Sequence, residues 1–304
     1  MSTLPSRVRV VEVGPRDGLQ NERAVVATDQ KIAFVDALGA AGLGSIEVTA
    51  FVSPKWVPQM ADAAEVFNGI DKRPGVRYSA LVPNRAGLDR ALMAGVTEIG
   101  IFAAASETFS RRNINASIDE SLDMYRQVAD AALQSGLTVR AYLSTSFGCP
   151  FEGDVPVERV IALSERLLQL GAYEVAVSDT IGIAHPGQVA HVLGALMARV
   201  AAEQIALHFH DTRGTALANV LVALQHGIAT FDSAAGGLGG CPYAPGATGN
   251  LATEDLVYML DGLNIRTGVR LSEVADASLG IEAAIGHPLP SRYAQAYKAT
   301  HRTQ

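Results

Sequence analysis

The chain is 304 residues long, enough for one large domain with a full core or two smaller ones. Only 18% of the residues are charged, below the usual quarter, so much of the chain is expected to be buried. A net charge of -7, with no Lys/Arg run longer than a pair such as Arg111-Arg112, argues against a nucleic-acid partner or a polybasic membrane surface.

The start of the chain, Met1 to Val10, has neither an apolar h-region nor an Arg/Ser-rich transit stretch. No apolar run approaches ~20 residues, so no membrane span is expected. The two cysteines, Cys149 and Cys241, are too few and too far apart for a disulfide framework. A reducing compartment, the cytoplasm, follows.

Val8, Val10 and Val11 read as a first strand that breaks at Gly14-Pro15. The next residues crowd a cation, an anion and two amides into one turn: Arg16, Asp17, Gln20 and Asn21. Thr28 is placed to cap a helix running from Asp29 to Ala41. Short buried strands then recur at residues 44–51, 76–84, 97–106, 138–145, 173–180, 205–211 and 229–237. Amphipathic stretches lie between them, one opened by the capping box Ser117-Ile118-Asp119-Glu120. Gly42, Gly95, Gly136, Gly171 and Gly227 stand where left-handed helix ends are needed before the next strand. Eight strand–helix units predict a single (β/α)8 TIM barrel over residues 1–304. The stretch from about residue 265 onward is expected to form helices packed on the barrel. A doubly wound open sheet is the alternative, but no GxGxxG follows the first strand.

In such a barrel the chemistry sits at the carboxyl ends of the strands. His208 and His210 are two apart in a strand, so both face the lumen. With Asp17 as the nearest natural carboxylate they suggest a divalent metal, and Asn250 can add a neutral oxygen. This mixed nitrogen and oxygen set suits Mg²⁺, Mn²⁺ or Zn²⁺. Glu47 is an acid inside an apolar strand, on the same expected face as Thr49. A buried charge needs a partner, and Arg16 is one candidate, either as a structural ion pair or as a pair that aims Arg16 at a reacting centre. After the eighth strand the Gly-rich segment 236–256 resembles a phosphate cradle, yet it also carries Cys241, Asn250 and Glu254. None of Lys31, Lys55, Lys72 or Lys298 lies in an expected strand, so carbon–carbon chemistry through a Schiff base is excluded.

The segments EVGPRDGLQNE, FVSPKWVPQMAD, GCPFEG, SDTIG, HFHDT and GLGGCPYAPGATGNLATEDLVYML resemble the hydroxymethylglutaryl-CoA lyase family in order and spacing. This family belongs to the metal-dependent TIM-barrel lyases and Claisen-type synthases. The resemblance spans Val11 to about Asn264, and the Cys-bearing Gly loop is the part that favours the lyase. It implies that Asp17, His208, His210 and Asn250 hold Mg²⁺ or Mn²⁺, and that Arg16 stabilises an enolate on the thioester oxygen. It further implies Cys241 as a mobile acid or base, Glu47 as the residue orienting Arg16, and Asp179 as a base or relay. Gln20 and Glu254 would support the site. The substrate would be 3-hydroxy-3-methylglutaryl-CoA or a close 3-hydroxyacyl-CoA, with acetyl-CoA and acetoacetate as products; a homodimer is the implied assembly. Lys55, Arg111 and Arg112 are the cations near the barrel mouth expected to meet the CoA phosphates. The chain departs from the family pattern at Ala50, at Ala176-Val177-Ser178 and at Arg213, which bears on the acyl pocket. The alternative is a Claisen-type acyltransferase on the same barrel, usually extended by a long C-terminal region.

Overall fold

A computed structural model describes residues 4–240 and 249–301. Eight parallel strands close in sequence order: β1 (Arg9–Glu12), β2 (Ser45–Ala50), β3 (Arg77–Leu81), β4 (Glu98–Ala104), β5 (Thr138–Ser144), β6 (Val175–Asp179), β7 (Ile205–Phe209) and β8 (Thr230–Ser233). β1 pairs with both β2 and β8, which shuts the barrel and confirms the TIM-barrel expectation over the open sheet.

The outer helices are α1 (Thr28–Ala40), α2 (Ala63–Gly69), α3 (Arg85–Met93), α4 (Glu107–Ile114), α5 (Ile118–Gln134), α6 (Val157–Gln169), α7 (Pro186–Leu196) and α8 (Ala216–Gln225). Their apolar faces meet the outward side chains of the strands in one continuous core, where Val35, Leu38, Val128, Leu167 and Val220 are fully covered. α5 opens with the expected capping box: Ser117 accepts from Glu120 N–H, and the Glu120 carboxylate accepts from Ser117 N–H. α1 begins one residue earlier than expected, with Thr28 already helical and Ala27 outside. The Thr28 hydroxyl instead donates to Asp62 at 2.8 Å, a tertiary contact the local pattern does not contain. All five glycines placed at helix ends have positive φ.

Three helices follow the barrel: α9 (Thr253–Gly262), α10 (Leu271–Ile285) and α11 (Arg292–His301). α10 packs on α1 and on the turn Ala235–Gly237, so the C-terminal helices brace the loop that leaves β8. That strand is shorter than the sequence suggests, because the chain turns at Ala234 after only four residues.

The lumen is charged as well as apolar. On β4, Gly100 leaves room for this: a Cβ there would lie 3.0 Å from Tyr142 and 3.1 Å from the Glu47 carboxylate. A bulge in β2 between Glu47 and Thr49 shifts the register against β3, so Glu47 stands opposite Ser79 and Thr49 opposite Ala80. The bulge therefore overturns the expected common face. Glu47 reaches the site, while the Thr49 hydroxyl meets the Met60 sulfur at 3.5 Å.

Candidate active site

The chain leaves β1 in a wide helical turn, Gly14–Gly18. The Val13 carbonyl accepts from three successive amides, Arg16 at 3.2 Å, Asp17 at 2.7 Å and Gly18 at 3.2 Å. This π-type turn projects Arg16 and Asp17 together over the end of the barrel. Glu12 ties it to the last loop: one oxygen accepts from Gly14 N–H at 2.8 Å and Ala235 N–H at 2.9 Å, the other from the Thr253 hydroxyl at 2.7 Å. Burial pushes the Glu12 carboxyl up to about 7, against these three donors.

Arg16 is the hub. Its Nε donates to Glu47 at 2.5 Å and its Nη1 to Asp17 at 2.6 Å, and its guanidinium lies over the Tyr142 ring at 5.5 Å. Burial opposes the charge on Arg16, but Glu47 and then Asp17 overcome it and hold the guanidinium protonated. Burial likewise pushes Asp17 up, and Arg16, His208 and His210 outweigh it, leaving the carboxyl at about 2.

Asp17, His208 and His210 present ligand atoms within 4.8 Å of one another, and the two imidazole centroids are 5.2 Å apart. Asn250 joins them through the backbone. Residue 250 bridges His210, and Asp211 N–H donates to the Gly249 carbonyl at 3.1 Å. Gly249 is needed for this approach, since a Cβ would come within 2.4 Å of two loop carbonyls, those of Gly237 and Gly239. The Asn250 amide donates to Asp17 at 3.0 Å and to the Leu238 carbonyl at 2.9 Å. Its Oδ1 and the Nδ1 of His210 are buried without hydrogen-bond partners, a costly state for polar atoms that a bound ligand would relieve. Two imidazoles, a carboxylate and an amide oxygen are a donor set that fits a divalent cation. Burial, and then the charge of His208, lower His210 to about 4, which keeps its ring neutral and one ring nitrogen's lone pair available.

His208 is positioned from below. Its Nδ1 contacts Asp232 of β8 at 3.3 Å, leaving the other ring nitrogen for the cavity. Asp232 is held by Arg140 of β5 at 2.7 and 3.3 Å, and Arg140 also donates to Glu174 at 2.8 Å. Glu174 in turn accepts from Arg9. Sequence reasoning missed this column. The signal was available, because an Arg within β5 and an Asp within β8 interrupt apolar strands just as Glu47 interrupts β2.

A cavity of about 670 Å³ opens beside these groups. Arg16, Asp17, Gln20, His208 and His210 line it, and the Gln20 Oε1 is buried without a partner. Leu81, Phe102, Met124 and Tyr142 form an apolar wall toward β3–β5. Arg112 also lines it, its guanidinium 4.2 Å from the Phe151 ring centroid; Lys55 and Arg111 lie outside the lining. Among the family departures Ser178 faces the cavity, whereas Ala50 and Ala176 are buried outside its lining, and Arg213 donates to the Ile181 and Gly182 carbonyls.

Two expected residues stand elsewhere. Asp179 does not line the cavity: its two oxygens accept from Ile183 and Ala184 N–H, both at 3.0 Å. It thereby anchors the loop after β6, between the cavity-lining Ser178 and Thr180; burial outweighs those amides and raises its carboxyl to about 6. Glu254 lies under the turn after β8, where it accepts from Gly236 N–H at 2.8 and 3.0 Å and from the Ser278 hydroxyl. Burial raises it to about 8. Cys241 lies outside the described residues.

Residues 7–281 match the family model described as HMGL-like. The chain belongs to the HMGL-like family. A hydroxymethylglutaryl-CoA lyase of Bacillus subtilis is 56% identical over 97% of this chain and 99% of its own, and its crystal structure superposes with a TM-score of 0.96. A 3-hydroxy-3-isohexenylglutaryl-CoA/hydroxy-methylglutaryl-CoA lyase of Pseudomonas aeruginosa is 53% identical over 97% of this chain and 99% of its own. A third similar structure, an HMG-CoA lyase from Acinetobacter baumannii solved with coenzyme A and 3-methylmalate, is 40% identical with a TM-score of 0.92 and covers 97% of both chains. This family membership makes the chain an enzyme of the lyase type and sets the acyltransferase alternative aside.

Proposed function

We propose that the protein cleaves 3-hydroxy-3-methylglutaryl-CoA to acetyl-CoA and acetoacetate. The observation that carries this reading is the convergence of Arg16 with Asp17, His208, His210 and Asn250 at one end of a cavity, two of whose buried polar atoms lack partners. Asp17, His208, His210 and Asn250 would hold Mg²⁺ or Mn²⁺. When bound, the cation acidifies the C3 hydroxyl of the substrate.

As that proton passes to a base, a role assigned to Asp179 directly or as a relay, the C3 oxygen becomes the ketone of acetoacetate. The C2–C3 bond breaks, and its electron pair delocalises onto the thioester oxygen as the enolate of acetyl-CoA. Arg16, fixed by Glu47 and Asp17, faces that oxygen with a preorganised positive charge in a site largely closed to water. A proton delivered to C2, the role assigned to Cys241, completes acetyl-CoA. Gln20 contributes a free acceptor at the cavity wall, and Arg112 is the cation placed to meet the CoA tail. The apolar wall of Leu81, Phe102 and Met124 suits the C3 substituent and leaves room for groups longer than methyl. The enzyme acts in the cytoplasm as a homodimer.

The test is acetyl-CoA release from a panel of 3-hydroxy-3-alkylglutaryl-CoA thioesters. Turnover of the methyl substrate should vanish in chelator and return with Mg²⁺ or Mn²⁺. Full activity in chelator, or no release from any thioester with either metal, rejects the reading.

A further inference from the structure

The amino-terminal face of the barrel, opposite the candidate active site, holds a second cavity of about 800 Å³. Arg7, Arg9, Arg73, Arg77 and Arg270 line it, together with glycine-rich turns, and its lining contains no Asp or Glu. That composition is unexpected in a chain of net charge -7.

Arg270 is neutralised by Glu273, which it meets through Nε and Nη2, but the carboxylates near Arg73 and Arg77 neutralise those arginines only in part. Arg73 meets Asp71 at 3.5 Å and Arg77 meets Glu98 at 3.7 Å, both through single long contacts with the arginine side chains over 40% exposed. Such pairs contribute little and leave most guanidinium N–H groups available. Arg9 and Arg77 both lie over the Tyr173 ring, at 6.0 and 5.7 Å. Arg9 spends Nη2 on Glu174 and Thr230, yet its Nη1 is buried and has no acceptor. A buried donor without an acceptor is costly, and clustered cations walled by low-dielectric protein focus a positive potential.

Planar guanidinium forks match phosphoryl oxygens in pairs. We propose that this cavity binds a compound carrying a diphosphate or longer polyphosphate, at a site separate from the one that takes the thioester. The phosphoryl oxygens accept from Arg7, Arg73 and Arg77, with Arg9 adding its charge at the cavity wall. The ligand is either inorganic polyphosphate or the polyphosphate of a nucleotide.

Isothermal titration calorimetry with inorganic tripolyphosphate and, separately, with ADP tests the proposal at low ionic strength. One site per chain is expected for at least one of them, and the relative affinities distinguish the two sources. The double variant Arg73→Gln/Arg77→Gln should weaken binding by at least about tenfold, the loss of two charge-assisted contacts, with an unchanged melting temperature. Should the double variant fold poorly, Arg7→Gln at an exposed position must weaken binding in the same direction. Arg112→Ala should titrate like the parent. The proposal is overturned by no binding up to about 1 mM of either anion, by affinity equal to the parent's in the Arg7 and Arg73/Arg77 variants, or by loss of binding in Arg112→Ala, which would place the anion in the other cavity.

Discussion

Two charged clusters lie one above the other in the same barrel, and they are finished differently. In the lower one, Arg140 bonds Asp232 and Glu174, Glu174 bonds Arg9, and neither carboxylate is left with an unpartnered buried oxygen, although Arg9 Nη1 at its edge is buried without an acceptor. In the upper one, Glu47 Oε1, His210 Nδ1 and Asn250 Oδ1 are buried and unpartnered. Folding alone favours the first condition, since an unmet buried polar atom costs about 1–3 kcal/mol. The second is retained where a ligand completes the set. The contrast separates charges that hold the barrel from charges that await a cation and substrate.

The sharpest way to break the comparison is to remove the lower cation. Arg140→Met leaves Asp232 and Glu174 buried without their shared partner, which should cost about 3–5 kcal/mol and appear as a large fall in the denaturation midpoint. A variant as stable as the parent would show that this column is not structural. Arg16→Lys probes the upper cluster. A lysine keeps the charge but cannot serve Glu47 and Asp17 with separate nitrogens of one planar fork. Stability should change little, while kcat falls by at least about 10²-fold, the scale of one lost oxyanion donor. A kcat near that of the parent would make Arg16 a structural partner of Glu47. The smallest effect is expected where the clusters join. Asp232→Asn keeps the shape beneath His208 but frees its ring to adopt the other tautomer. Metal affinity measured by competition with a chromophoric chelator should weaken about 10- to 100-fold. Unchanged affinity with lowered stability would assign Asp232 wholly to the lower cluster.

Much of the architecture was legible because it rests on local rules. Strand–helix alternation, the glycines before each strand and the Ser117–Glu120 box each express a preference settled within a few residues. Period-two spacing was enough to place His208 and His210 on one face. It failed for Glu47 and Thr49, because a bulge adds a residue and no local composition marks it. For Asp179 the position at a strand end was legible, whereas the two backbone amides that claim its carboxylate come from the path of the following loop.

The amino-acid sequence by itself determined the barrel, the strand ends that carry the chemistry, and the residue types able to bind a cation and stabilise an enolate, since these follow from periodicity, punctuation and side-chain chemistry. Only the tertiary structure decided which polar groups are satisfied. Asn250 is brought to His210 by a backbone bridge across 40 residues of chain, and Asp232 reaches beneath His208 because β7 and β8 are neighbours in a closed sheet. The gathering of five arginines from separate loops at the opposite face has the same origin. Burial and partnership depend on what the rest of the chain packs against an atom, and that follows from the closure of the whole barrel rather than from any local segment.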